Sequence, residues 1–194
     1  MIGALDSRSS LVAIGIDPGI AAVGYGLVRT LEGRLSLVTY GCIETESDEP
    51  IGKRLTYIFE EIRKLLGQYA PDIGGIEELY FFRNVSSAFP VAEARGVIRL
   101  AFEKTGIALK EYSPNAIKKA VTGSSRASKS QVQEMVKILL GMSQIPTPDH
   151  ASDALAAAIC TLHSIGPAGY KIGRASCKGK SVFACVDLGG RRII

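Results

Sequence analysis

Between Ile43 and Ile51 the hydrophobic period of this chain changes, and that change limits the folds open to it. Upstream the pattern is that of strands. Leu11–Asp17 (LVAIGID) is a short apolar run that ends on Asp-Pro-Gly, which reads as a buried strand and a turn. In Ala22–Arg29, Val23, Tyr25 and Leu27 alternate with small or polar neighbours, and Leu35–Ile43 is a third strand. Gly33 lies in the turn between the last two, so they suit an antiparallel hairpin. From Ile51 the apolar positions are Ile51, Leu55, Ile58, Phe59, Ile62, Leu65 and Leu66, which is helical spacing, with Gly67 and Pro71 closing the helix.

Strands and helices then interleave. Asp72–Leu79 reads as a strand, Ser87–Lys104 as a helix beginning near Pro90, and Ile107–Tyr112 as a fifth strand. Pro114–Val121 is a short helix with Pro near its start, followed by a Gly/Ser/Arg loop at Gly123–Ala127. Ser128–Leu140 and Asp149–Ser164 are helical. This order predicts an α/β domain with a mixed five-stranded sheet: an antiparallel three-strand meander plus two parallel additions, with helices on both faces. The domain spans residues 11–165, after a frayed extension at 1–10. Beyond Gly166 periodicity is lost, and residues 166–194 read as a flexible basic tail.

Several classes of protein are disfavoured. No stretch reaches the roughly 18 apolar residues of a membrane span, and Met1–Ser10 lacks the pattern of a signal peptide. Cys42, Cys160, Cys177 and Cys185 form no C-x-x-C pair and read as reduced thiols of a cytoplasmic protein. His150 and His163 are the only histidines, which argues against a zinc cluster. The net charge of +4 is mild, but it averages over opposites. Residues 1–81 carry 7 basic and 12 acidic side chains; residues 82–140 carry 10 and 4. The tail is again basic, with 6 against 1.

The acidic segments hold the first set of candidate residues. Asp17 ends the first strand and Glu77 interrupts an otherwise apolar fourth strand. His150 and Asp153 open the last helix at i, i+3, on one face, with Asp149 beside them as a cap. Strands lie about 4.7–4.9 Å apart, so adjacency of the first and fourth would bring Asp17 and Glu77 together. Acids buried together require a compensating cation. Hard carboxylate oxygens suit Mg²⁺ or Mn²⁺, and two such ions about 3.5–4 Å apart support phosphodiester hydrolysis. Taken singly, each residue has a plainer explanation. Asp before Pro-Gly is a common turn residue, Glu77 could face solvent at an edge, and a helical His is more often structural.

The basic block holds the second set. Tyr80, Phe81 and Phe82 leave the fourth strand together and cannot all face one core, so at least one is available to stack on bases. Arg83 follows them. Lys118, Lys119, Arg126 and Lys129 sit on a short helix, a loop and a helix start, with Lys137 beyond. Such positions favour phosphate. The alternative is a solvated helix face, but Glu134 is the only acid between Lys118 and Lys137.

The segments GIDPG (Gly15–Gly19), GYG (Gly24–Gly26), IEELYF (Ile76–Phe81), EARGV (Glu93–Val97), YSPNAIKKAVTG (Tyr112–Gly123), KSQVQEMV (Lys129–Val136) and ASDALAAAI (Ala151–Ile159) stand in a characteristic order. In them the chain resembles the RuvC-type Holliday junction resolvases, endonucleases with an RNase H-like fold. The resemblance runs from about Leu11 to Ser164 and implies that Asp17, Glu77 and Asp153 are metal-binding acids. His150 stands at a fourth position that carries Asp or His in the family, with Asp149 as its rival. Tyr80 matches an aromatic position implicated in junction contacts, and Lys118 and Lys129 match basic positions implicated in DNA binding and catalysis. The resemblance further implies a homodimer that nicks a four-way DNA junction symmetrically, using Mg²⁺, in concert with a RuvA–RuvB branch-migration complex. Three rivals remain open. An actin-like ATPase or sugar kinase shares the strand-Asp-Gly opening but needs a longer chain. A junction-binding module without catalysis, and a related nuclease acting on RNA or another branched DNA, are the others.

Overall fold

The computed structural model describes residues 10–78 and 85–165, with the backbone alone for 85–88. Five strands and five helices follow in the order β1 (Leu11–Asp17), β2 (Ala22–Leu31), β3 (Arg34–Glu44), α1 (Ile51–Tyr69), β4 (Ile73–Glu77), α2 (Val85–Thr105), β5 (Leu109–Tyr112), α3 (Pro114–Thr122), α4 (Lys129–Leu139) and α5 (Asp149–Ile165). The sheet order is β3-β2-β1-β4-β5. β1–β2 and β2–β3 pair antiparallel, while β4 pairs parallel with β1 and with β5. The expected meander with two parallel additions is therefore the observed sheet.

Side-chain alternation along β1 divides the core. Ile14 and Ile16, with Val23, Leu27 and Ile76, pack under α1 and α2 against Ile58, Ile62, Leu66, Ile98 and Phe102. Ala13, Val28 and Ile73 face the other way, towards Ile117, Val121, Val132, Val136, Leu155 and Ile159 of α3, α4 and α5. α5 carries buried alanines at 151, 154, 156, 157 and 158, and lies across the sheet centre.

Local signals set most boundaries. Glu32 and Gly33 both have positive φ (52° and 76°), the twist that a two-residue β-hairpin requires. Ser113 caps α3 by accepting from the Ala116 N–H at 3.2 Å, with Pro114 in the first turn. Ser128 and Gln131 form a reciprocal capping box on α4.

Most boundaries shift by one or two residues from the sequence expectation, and four of the differences bear on the packing. α1 continues through Gly67 to Tyr69, because Leu66 and Tyr69 pack on the core and outweigh the roughly 1 kcal/mol propensity cost of glycine. α2 begins at Val85, so Pro90 lies inside it and not at its start. Ile107 belongs to the close of that helix, its N–H donating to the Phe102 carbonyl at 3.3 Å, and β5 starts only at Leu109. β4 stops at Glu77 and not at Leu79.

Among the described residues no helix is long and apolar enough to cross a membrane. Burial holds the Cys42 thiol above its ordinary value and pushes Cys160 up to about 11, so both stay protonated at neutral pH. Cys177, Cys185 and the 166–194 tail lie outside the described residues, as do most of the N-terminal extension and Tyr80, Phe81, Phe82 and Arg83.

Candidate active site

A floor of glycines brings the acids together. Gly15 stands opposite Gly75 and Ile16 opposite Ile76 in the parallel β1–β4 pair, so the next step aligns Asp17 with Glu77. By alternation both carboxylates share the face of Gly15 and Gly75, the face beneath α5. A Cβ on Gly15 would fall 1.9 Å from the Ala154 carbonyl oxygen and 2.4 Å from the Ala158 nitrogen. One on Gly75 would lie 2.0 Å from the Thr161 hydroxyl. Gly24, the β2 partner of Asp17, leaves room for His150: a Cβ there would meet the His150 carbonyl oxygen at 2.0 Å. α5 thus rests backbone-close on β1, β2 and β4, and its first turn lies over the ends of β1 and β4.

The side chains meet accordingly. His150 Nδ1 lies 2.6 Å from Asp17 Oδ2. Asp153 is held by Lys129, whose Nζ is 3.2 Å from Oδ2. The same ammonium lies 2.9 Å from Asp149 Oδ2, and Gln133 Nε2 donates to Asp149 Oδ1 at 3.0 Å. Asp149 is therefore turned towards α4 as the first residue of α5 and does not serve as the expected cap, whereas His150 is turned towards Asp17.

Burial raises the pKa of Asp17; its contact with His150 opposes this. Glu77 is pushed up to about 7, first by burial and then by the charges of Asp17 and Asp153, against the pull of Lys118 and Lys129. Lys129 is held above its ordinary range by its bond to Asp149, and Asp149 below its own by Lys129. Among the described residues no three His, Cys, Asp or Glu side chains stand in a ready-made metal-holding group. As arranged, His150 and Lys129 are the counterparts of Asp17 and Asp153. The donor set nevertheless fits a hard divalent cation. Three carboxylates and an imidazole lie at the neighbouring ends of β1, β4 and α5, and Glu77, raised first by burial and then by the charges of Asp17 and Asp153, is a group whose ionised form a cation would favour.

Of the basic candidates, Lys118 and Lys129 act electrostatically on Glu77. Lys119 and Arg126 are exposed, on α3 and on the loop before α4, and no described contact joins them to the acids. Sequence reasoning missed Gln133 and Arg95. Arg95 had a legible signal: it shares helical spacing with the buried Ile98 and Phe102, so a charge was being placed in a core stripe.

The family described as crossover junction endodeoxyribonuclease RuvC matches residues 13–161. A crossover junction endodeoxyribonuclease RuvC from Treponema denticola is 48% identical over 165 residues, covering 84% of this chain and 93% of its own length. One from Brevibacillus brevis is 49% identical over 146 residues, covering 75% and 88%. Among solved structures, Thermus thermophilus RuvC is similar with a TM-score of 0.73 at 31% identity, over 79% of this chain and 94% of that one. The same protein in complex with a Holliday junction substrate gives 0.72 at 30%, over 79% and 93%. A yeast mitochondrial Holliday junction resolvase, at 12% identity and a TM-score of 0.57, shares the fold.

Proposed function

The chain belongs to the RuvC family of crossover junction endodeoxyribonucleases, and we propose that it resolves four-way DNA junctions by symmetric, metal-dependent nicking in recombination and repair. It is a nuclease of the RNase H-like fold. The observation that carries the mechanism is the alignment of Asp17 with Glu77 on adjacent parallel strands, with His150 and Asp153 delivered over them by α5.

Asp17, Glu77, Asp153 and His150 are the residues that would hold two Mg²⁺ ions, with Mn²⁺ as a substitute. Bound there, the cation supplies Lewis-acid activation of water and neutralisation of the scissile phosphate. The protein's own groups do the rest. With Nδ1 on Asp17, His150 keeps Nε2 as the ring atom that takes a ligand. Lys118 and Lys129 lie close enough to the acids to neutralise phosphate oxygens beside them, and Lys129 exchanges its carboxylate partners for the substrate's backbone. Lys119, Arg126 and the Tyr80–Arg83 segment extend the DNA surface. The nuclease domain occupies residues 11–165, which the family match at 13–161 supports. Paired cuts follow if the enzyme is a homodimer whose two-fold axis matches the junction's. The setting is the cytoplasm, alongside RuvA–RuvB.

Cleavage of a synthetic mobile junction tests this. Wild-type protein nicks two strands of like polarity in Mg²⁺ and leaves linear duplex largely intact. Asp17→Asn binds the junction and does not cut. Undiminished cutting by that variant, or in excess EDTA, refutes the site.

A further inference from the structure

Arg95 is a buried charge that the mechanism has not used. It lies on α2 with 7% of its surface exposed. Its Nη1 donates to the backbone carbonyl of Glu77 at 3.0 Å, and its Nη2 pairs with Glu111 of β5. Arg99, one turn on, reaches the other oxygen of Glu111 at 2.6 Å.

The Glu77 carbonyl needs such a donor for a reason written in β1. The Glu78 N–H donates to the Tyr112 carbonyl of β5 at 2.8 Å. In a trans peptide the C=O and the following N–H point opposite ways, so the Glu77 carbonyl is turned from β5 towards the end of β1. There the parallel ladder would supply an N–H from the residue after Asp17. That residue is Pro18, which has none. A buried carbonyl left without a donor is costly. The proline that turns the chain sharply after Asp17 thus removes the bond that would have fixed Glu77.

We propose that Arg95 is a positioning residue for the nuclease reaction: its guanidinium replaces the N–H that Pro18 lacks, and so holds the end of β4 with the Glu77 carboxylate in step with Asp17. Glu111, itself fixed by Arg99, holds the guanidinium in place. Two of the sequence segments, GIDPG and EARGV, are thereby one device. The proposal rests on the functional reading above only in that Glu77 serves the reaction.

The test has a metal-free arm and an activity arm. In EDTA, Arg95→Met speeds hydrogen exchange of the Glu78 amide by roughly tenfold or more, while the middle of β1 is unchanged. In the presence of Mg²⁺, the concentration giving half-maximal junction cleavage rises roughly ten- to a hundredfold. Junction binding in EDTA stays at the wild-type level. Arg95→Lys keeps the cation but has one donor centre, so it cannot span Glu77 and Glu111 and falls between; it carries the test alone should Arg95→Met fail to fold. Wild-type protection at Glu78 overturns the proposal. So does lost protection with an unchanged Mg²⁺ requirement, the outcome of a merely structural arginine. If wild-type protein does not cut junctions, the functional reading fails, and Glu78 protection by itself decides the clamp.

Discussion

Replacing Glu77 by Gln is expected to stabilise the metal-free protein while abolishing its activity. The pKa of Glu77 rises from 4.5 to about 7 on folding, chiefly because the sheet and α5 take it out of water, and further because Asp17 and Asp153 share its surroundings. An acid with a raised pKa holds its proton more tightly in the folded chain. Between about pH 4.5 and 7 the folded state then carries more protons than the unfolded state, and stability falls as pH rises through that window. The full shift would correspond to more than 3 kcal/mol at roughly 1.4 kcal/mol per unit. Because Glu77 is only partly buried, solvent screening reduces this to about 1–2 kcal/mol. For a chain of this size that is about 2–8 °C in Tm. Urea and thermal unfolding in EDTA, from pH 4 to pH 9, measure it. Glu77→Gln matches wild type below pH 4.5 and exceeds it above pH 7. Mg²⁺ reverses the order, since saturation at about a hundred times Kd adds about 2.7 kcal/mol to wild type and less to the variant. Equal pH slopes in the two proteins would falsify this reasoning.

Gly15→Ala places a methyl 1.9 Å from a backbone oxygen of α5, so the helix must shift. The variant should lose about 1–3 kcal/mol in chemical denaturation and most of its cleavage rate. His150→Ala should abolish cutting through loss of the group on Asp17, whereas Asp149→Ala should slow it through loss of the anchor of Lys129; the reverse pattern in single-turnover assays would exchange their roles. Glu32→Asn suits the positive φ at the hairpin better and should add about 0.5–1 kcal/mol of stability with cleavage unchanged.

The sheet was legible because period-two alternation and the shift at Ile51 state which residues face a core, and Asp17 stood out as a charge at a strand end and Glu77 as a charge inside an apolar strand. What escaped depends on the third dimension. Gly67 and Ile107 were assigned by local preference, which packing and a helix-closing hydrogen bond override. Nothing in the residues 149 and 150 themselves distinguishes the two as partners of Asp17. The rotation of α5 over Gly24 decides that. The Arg95 bond joins α2 to a backbone atom, and backbone atoms leave no mark in a side-chain pattern.

The glycine floor makes α5 a stiff lever. From Thr161, seated on Gly75, to His150 the helix spans about 16 Å at 1.5 Å per residue. Backbone rests on backbone at Gly15 and Gly24, and the short Thr161 hydroxyl fills the seat on Gly75, which leaves little slack to absorb an error. The alignment of His150 and Asp153 with Asp17 and Glu77 is therefore governed from behind, at positions with no chemistry of their own. A bulkier residue two turns away acts on the site as surely as one placed within it.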